Sequence, residues 1–202
     1  VSDYLQYVFT RIDLTRDIHF YTNTTMDTLD YSGTGLNSGS KVVFAAVGAP
    51  KRNLATVLPT IFERINGFSN PQLAIPGIVL LQCTAYVNDQ TAIAEIRDLD
   101  SQLNQQLTEI ANTPMIVLCD DTSFASANLN NFLWVCFTRC NPANDIHGIA
   151  ASTLHKHWGC NGPIVIDARI KPHHAPPVLK DLEIEKKINR IFEKGGSLFG
   201  KI

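Results

Sequence analysis

Apolar and polar positions along the chain fall into blocks that alternate between strand and helix periodicity. Lys41–Val47 (KVVFAAV) reads as a buried strand, Gly77–Ala85 and Met115–Cys119 as further strands, and Ile146–Ala150 and Ile164–Ala168 as short ones. Leu54–Ile65 predicts a helix with Leu54, Val57, Leu58, Ile61, Phe62 and Ile65 along one side, and Pro71–Pro76 a loop. Asp89 stands where it would cap a long helix running through Ala111, with Ile93, Ile96, Leu99, Leu103, Leu107 and Ile110 as its stripe. A further helix is expected over Asn128–Thr138. The last spans about Asp181–Lys194, with Ile184, Ile188, Ile191 and Phe192 on one face and Gly195-Gly196 at its end. Strands alternating with helices predict an α/β fold, layered, with a mainly parallel sheet.

The chain also resembles itself. Residues 3–19, DYLQYVFTRIDLTRDIH, align at an offset of 128 with residues 131–147, NFLWVCFTRCNPANDIH, with seven of seventeen positions identical. The likeness continues from Thr24-Thr25-Met26 to Ser152-Thr153-Leu154, and a strand follows in each copy, Val42–Ala46 and Ile164–Ala168. The second copy is preceded by the strand Met115–Cys119 and the helix Asp89–Ala111; the first has no such pair before it. The expected division is therefore residues 1–50 as the truncated end of a first α/β unit and 51–202 as a complete second unit, the native polypeptide continuing upstream of Val1. Val1 leads into Ser2, Asp3 and Tyr4 without a basic or apolar leader, which reads as a processed chain or an excised piece.

Composition narrows the function classes. Of 202 residues 45% are apolar and 18% charged, below the roughly 25% usual for soluble domains, so an unusual share of surface is expected to be buried or covered by a partner. A net charge of −2 gives no electrostatic footprint for nucleic acid or an anionic membrane. No apolar run reaches the ~18 residues of a spanning helix. Five cysteines, Cys83, Cys119, Cys136, Cys140 and Cys160, form no C-x-x-C pair, and several sit in apolar segments; this reads as a reducing, cytoplasmic setting.

The ordered string MIVLCDD (115–121), NNFLWVCFTRCNPANDI (130–146) and GPIVIDARIKP (162–172) resembles the carboxyl-terminal domain of UbiD-like carboxy-lyases. Trp134, Thr138, Arg139, Asn141, Pro142, Ala143 and Asp145 hold the middle of that pattern. The first copy matches through Thr10, Arg11, Asp13, Arg16 and Asp17, then Thr25–Asp30, then Gly39-Ser40-Lys41. The resemblance covers about 2–50 and 75–190. It implies decarboxylation of an aromatic or unsaturated acid, of quinone-biosynthesis type, on prenylated flavin mononucleotide with a divalent metal and potassium. By resemblance the flavin-binding domain and its Glu-Arg-Glu set lie upstream in the same polypeptide, and this part closes the pocket and assembles subunits into a homo-oligomer. Met26, Thr28 and Leu29 would then face the substrate pocket, with no catalytic residue in this chain. The alternative is a non-enzymatic α/β binding or assembly module descended from such a domain.

Other side chains are read on their own chemistry. His155, His157 and Cys160, with His173 and His174 beyond, are the metal candidates and would suit a small metal hydrolase; the same residues read more simply as a solvated loop. Asp120-Asp121 ends a strand, where it would either face a ligand crevice or, as favoured, cap the following helix. Gly33-x-Gly35…Gly39 precedes a strand and opens no helix, the wrong order for a phosphate cradle. Cys136 and Cys140 are assigned to core packing. Arg11 and Arg139 are expected to pair with Asp17 and Asp145 or to cap helix-end carbonyls. Glu63, Arg64, Glu95, Arg97 and Asp98 are placed on helical surfaces. The carboxyl-terminal stripe, with Leu198 and Phe199, is expected either to return to its own core or to dock on a second subunit.

Overall fold

The computed structural model describes residues 1–176 and 181–201. In chain order it has α1 (Ser2–Arg11), β1 (Ile18–Thr25), β2 (Ser38–Phe44), a 3-10 turn (Thr60–Arg64), β3 (Ser69–Ile75), β4 (Ile78–Gln82), α2 (Asp89–Leu103) and β5 (Met115–Cys119). Then follow α3 (Thr122–Ser126), α4 (Leu129–Thr138), α5 (Pro142–Asp145), β6 (Ile146–Gly148), β7 (Ala151–Leu154), β8 (His157–Cys160), β9 (Ile164–Asp167) and α6 (Leu182–Phe192).

A five-stranded sheet in the order β3-β4-β5-β9-β6 organises the molecule. Its centre is parallel: Ile78 to Gln82 lie opposite Met115 to Cys119, and Met115 to Leu118 opposite Ile164 to Asp167. Its edges are antiparallel, β3 on β4 and β6 on β9. The fold is therefore mixed α/β, with parallel pairing confined to the three central strands. These strands are continuous apolar runs, ending in Gln82 in β4 and Asp167 in β9, as burial on both faces requires. Alternation divides their side chains between two cores. Ile78, Leu80, Met115, Val117, Ile164 and Ile166 pack with Phe9, Ile12, Ile18, Phe132 and Val135 on one side. Val79, Leu81, Ile116, Leu118 and Val165 pack with Ile96, Leu99, Leu103, Ile110 and Phe62 on the other. The first core draws on both repeated stretches.

Four segments depart from the sequence expectation, each for a local reason. Leu54–Ile65 is not a helix beyond the short 3-10 turn; Pro59 removes a donor and pushes Leu58 towards extended backbone. Residues 71–75 belong to β3, an edge strand, where Pro71 is tolerated and the pairing is irregular on either side of Gln72 and Leu73, and Pro76 opens the turn into β4. The long helix stops at Leu103 and is capped by Asn88, whose side chain accepts the Thr91 N–H at 2.9 Å. Asp89 instead accepts the Tyr86 hydroxyl. Successive turns then carry the chain to Thr113 and still bury Ile110. The strand expected at Lys41–Val47 is Ser38–Phe44, with Gly39 and Ser40 buried and exposed and half-buried residues alternating from Lys41 on.

The two stretches that resemble each other make matching local contacts. The Thr10 hydroxyl donates to the Gln6 carbonyl and the Thr138 hydroxyl to the Trp134 carbonyl. Asp17 Oδ2 accepts the Asp13 N–H at 3.0 Å, and Asp145 Oδ2 the Asn141 N–H at 2.7 Å. Ile18 and His19 pair with Phe44 and Val43, as Ile146 and His147 pair with Ile166 and Val165. The surroundings differ, because β1 and β2 form a separate two-stranded sheet.

The first stretch is held to the β7–β8 hairpin by close backbone approach. Cys160 N–H donates to the Leu14 carbonyl at 3.0 Å, and a Cβ on Gly159 would lie 2.6 to 2.8 Å from the Thr15 carbonyl oxygen, Cα and C. Gly159→Ala is expected to cost about 1–3 kcal/mol, because backbone cannot step aside as a side chain can. Gly35→Ala, with nothing within 4 Å of the added carbon, is expected to change stability by less than about 0.5 kcal/mol. Thermal unfolding of both variants checks the contrast.

Candidate functional site

Two features stand out as sites: the loop between β1 and β2, and the carboxyl ends of β5 and β9. In the loop, Asp27 Oδ1 accepts the Leu29 N–H at 2.8 Å, and Asp30 Oδ1 accepts both the N–H and the hydroxyl of Ser32. These Asx turns fold the backbone back on itself and leave Leu29 82% exposed at the tip, with Thr28 beside it in solvent. Met26 turns the other way. Its N–H donates to the Asn37 carbonyl at 3.2 Å, and its sulfur lies where Cβ atoms on Gly33 and Gly39 would be, 3.3 and 1.7 Å away. The glycines of this loop thus make room for a thioether, and of Met26, Thr28 and Leu29 the last two are presented outward. Tyr31 and Leu36 are exposed in the same loop.

At the carboxyl ends of β5 and β9 lies a buried ionic network that sequence patterns did not reveal. Arg169 is 1% exposed; its guanidinium donates to both carboxylate oxygens of Asp167, at 2.9 and 2.7 Å, and to Glu95 Oε2 at 2.6 Å. Lys171 Nζ donates to the Asp167 carbonyl at 2.8 Å and the Arg139 carbonyl at 3.2 Å and lies 3.3 Å from Asp145 Oδ1. The Tyr86 ring stands 5.7 Å from both cationic groups. Burial alone would raise the Asp167 carboxyl, but the Arg169 hydrogen bonds and the two cations outweigh it and hold it below its ordinary value. At Asp145 burial wins, and its pKa is raised despite Lys171. Arg169 stays charged because Asp167 and Glu95 more than offset its desolvation. Every charge here has a partner, so the network fixes the segment after β9 rather than offering a free base. Its sequence signal is the placement of Arg169 and Lys171 two and four residues beyond Asp167; Glu95, expected on a helical surface, is their partner on α2.

Several expectations are corrected at the same place. Asp121 caps a helix as expected, but the helix is the short α3, with the Phe124 N–H at 2.9 Å. Asp120 pairs with Arg139 at 3.3 Å and accepts the Ile170 N–H at 2.9 Å. Arg139 therefore does not pair with Asp145, nor Arg11 with Asp17, whose partner is Arg16 at 2.7 Å. Arg11 does reach carbonyls, those of Gly48 and Tyr7, and lies over the Tyr7 ring at 3.8 Å.

The histidines and cysteines do not converge. His155 and Lys156, at φ of 50° and 66°, form the two-residue turn between β7 and β8. His157 faces His19 instead, ring centroids 5.4 Å apart, and Cys160 is buried behind. His173 and His174 contact each other at 4.5 Å. Among the described residues no three His, Cys, Asp or Glu side chains are grouped as a metal would require, so His155, His157 and Cys160 fit neither the hydrolase reading nor the divalent metal implied by the resemblance. All five thiols are free, and burial raises each; Cys119 and Cys160 are pushed up to about 12. Burial, with Lys171 next, lowers His174 to about 4.

Among the described residues no helix is long and apolar enough to cross a membrane. None of the residues of α6 is buried, so its apolar stripe does not return to this chain's own core.

Known proteins are similar to this chain in sequence. Residues 1–46 match the family described as 3-octaprenyl-4-hydroxybenzoate carboxy-lyase C-terminal domain. The chain is 31% identical over 192 residues to a protein of Chlamydia pneumoniae named as a subunit of 4-hydroxybenzoate decarboxylase, covering 92% of this chain and 30% of that protein. It is 30% identical over 177 residues to an uncharacterized protein of Chlamydia trachomatis serovar D, covering 88% of this chain and 28% of the other. The chain thus spans about three tenths of the length of the curated relatives it matches. The loop that presents Leu29 lies wholly inside the family match, and by that match and the named relative the chain is a UbiD-like carboxyl-terminal region.

Proposed function

We propose that the chain is the carboxyl-terminal part of a UbiD-like decarboxylase of an aromatic or unsaturated acid, of quinone-biosynthesis type. In this reading prenylated flavin mononucleotide, with its divalent metal and potassium, is held by an upstream domain that also carries the catalytic groups. The described residues of this chain do not fit the metal, and no chemical step is assigned to them. Their task is to close the substrate pocket through Thr28 and Leu29, with Met26 packed inward against Gly39 to hold the loop rather than facing the pocket, and to join subunits into a homo-oligomer. Residues 1–50 are the end of one α/β unit and 51–202 a second. Five free thiols support a reducing, cytoplasmic setting.

The observation that carries this reading is Leu29. A leucine held 82% exposed by two Asx turns, inside the segment that matches the family, is placed to be covered by something else. Burying one leucine side chain is worth about 1.5–3 kcal/mol. In the full-length enzyme Leu29→Asp is therefore expected to lower kcat/KM for decarboxylation by at least about tenfold, with unchanged thermal stability. A wild-type kcat/KM would remove Leu29 from the pocket. A full-length protein supplied with its flavin that decarboxylates no acid of this class would overturn the enzymatic reading as a whole.

A further inference from the structure

β9 is covered on both edges and both faces. The Ile164 and Ala168 N–H groups donate to the Pro114 and Leu118 carbonyls beside β5 at 3.0 and 2.8 Å. On its other edge the ladder with β6 ends in the Ile149 N–H donating to the Pro163 carbonyl at 2.9 Å. On the face away from α4, Val165 and Ile149 pack with Leu99 and Leu103 of α2, and all four are fully buried.

β2 has only half of these surroundings. The Ala45 N–H donates to the Asp17 carbonyl at 2.9 Å, which fixes the alternation of the ladder with β1. That alternation turns the N–H and C=O groups of Val42 and Phe44 away from β1, as those of Ile164 and Ile166 turn from β6 towards β5. Among the described residues β1 is the one sheet neighbour of β2. Val43 and Tyr21, which occupy the places of Val165 and Ile149, are 46% and 59% exposed. An open backbone edge thus coincides, at the place where β9 receives β5 and α2, with a face on which Val43 and Tyr21 stand exposed opposite His19 and Lys41.

We propose that β2 docks a helix–strand segment from the same polypeptide, outside these 202 residues. Its strand lies parallel to β2, standing to Val42–Phe44 as Met115–Val117 stand to Ile164–Ile166, and its helix covers Val43 and Tyr21. The strand is apolar on both faces, as a strand buried between two layers must be. The occupant belongs to the same chain because the relatives are more than three times as long as the stretch they share with it, which leaves ample polypeptide to supply one. The proposal does not depend on which reaction the longer protein performs.

Hydrogen exchange resolved to single amides in the full-length protein tests this. Val42 and Phe44 are expected to be protected to within about tenfold of Ile164 and Ile166, and to stay so over about hundredfold dilution. Rapid exchange at Val42 and Phe44 beside a slow Val43 overturns the proposal. So does protection that fades on dilution, since the occupant is then a second copy. Val43→Asp, at a position exposed in this chain, is expected to release Val42 and Phe44 while leaving Ile164 and Ile166 protected; unaltered protection at Val42 and Phe44 overturns the covering helix.

Discussion

Arg169→Ala is expected to destabilise the fold by about 3–5 kcal/mol at neutral pH. The cost is not the lost attraction so much as the charge left behind: Asp167, 2% exposed, would remain in low dielectric with no guanidinium beside it, while the half-buried Glu95 also loses its partner. The pH dependence follows from the sign of the shift. Asp167 has its carboxyl held below the ordinary value in the folded chain, so its stabilisation is present above its unfolded pKa of about 3.9 and is lost as pH falls through the folded value. In the variant that carboxylate is a liability instead, so the gap between wild type and Arg169→Ala is expected to be widest near neutrality and to narrow below about pH 4. Asp167→Asn combined with Arg169→Met removes both charges and is expected to recover part of the loss. Denaturant unfolding at several pH values checks all three. A loss under about 1 kcal/mol for Arg169→Ala would mean that the network is solvated in solution.

Phe9→Ala carries the second large effect, again about 3–5 kcal/mol, from a cavity in the core beside Phe44, whose ring lies 6.1 Å away. Its repeat equivalent behaves otherwise. Phe137 is 72% exposed, and Phe137→Ala is expected to shift the stability of this chain by less than about 0.5 kcal/mol. The helices α1 and α4 share their Phe-Thr-Arg ends but bury different faces, Val8 and Phe9 on one and Phe132 and Val135 on the other. Equal losses in unfolding experiments would show that both helices use the same face.

That contrast marks how far the letters of the chain determine its packing. Met115–Cys119 and Asn128–Thr138 are legible because an unbroken apolar run and an Asn cap leave few alternatives. The edge strand Ser69–Ile75 is hidden by Pro71 within it and Pro76 just after it, which suit an edge as well as a loop. The helix over Leu54–Ile65 fails because periodicity ignores what Pro59 does to the backbone. The repeat is legible as letters, yet its letters do not say which face is buried, since that depends on elements distant in sequence. The Asp167–Arg169–Glu95 network is half hidden for the same reason: Asp167 and Arg169 stand two residues apart, but Glu95 lies 74 residues from Arg169 and looks like any solvated helical acid. Met26 and Leu29, adjacent to the same turn, look alike in sequence, and only the packing of the thioether against Gly39 separates them.

The strand order β3-β4-β5-β9-β6 also bears on how the chain must be made. β5 meets β9 only after the 44 residues between Cys119 and Ile164 have been synthesised, and β6 has no sheet neighbour until β9 arrives. Until then Met115–Cys119, paired with β4 on one side, is an edge of five apolar residues whose backbone groups on the other side are unpaired, the kind of edge on which nascent chains aggregate. A chain cut short before Ile164 would keep that edge permanently. The burden of solubility during synthesis therefore falls on four residues, Ile164–Asp167, which seal this sheet last.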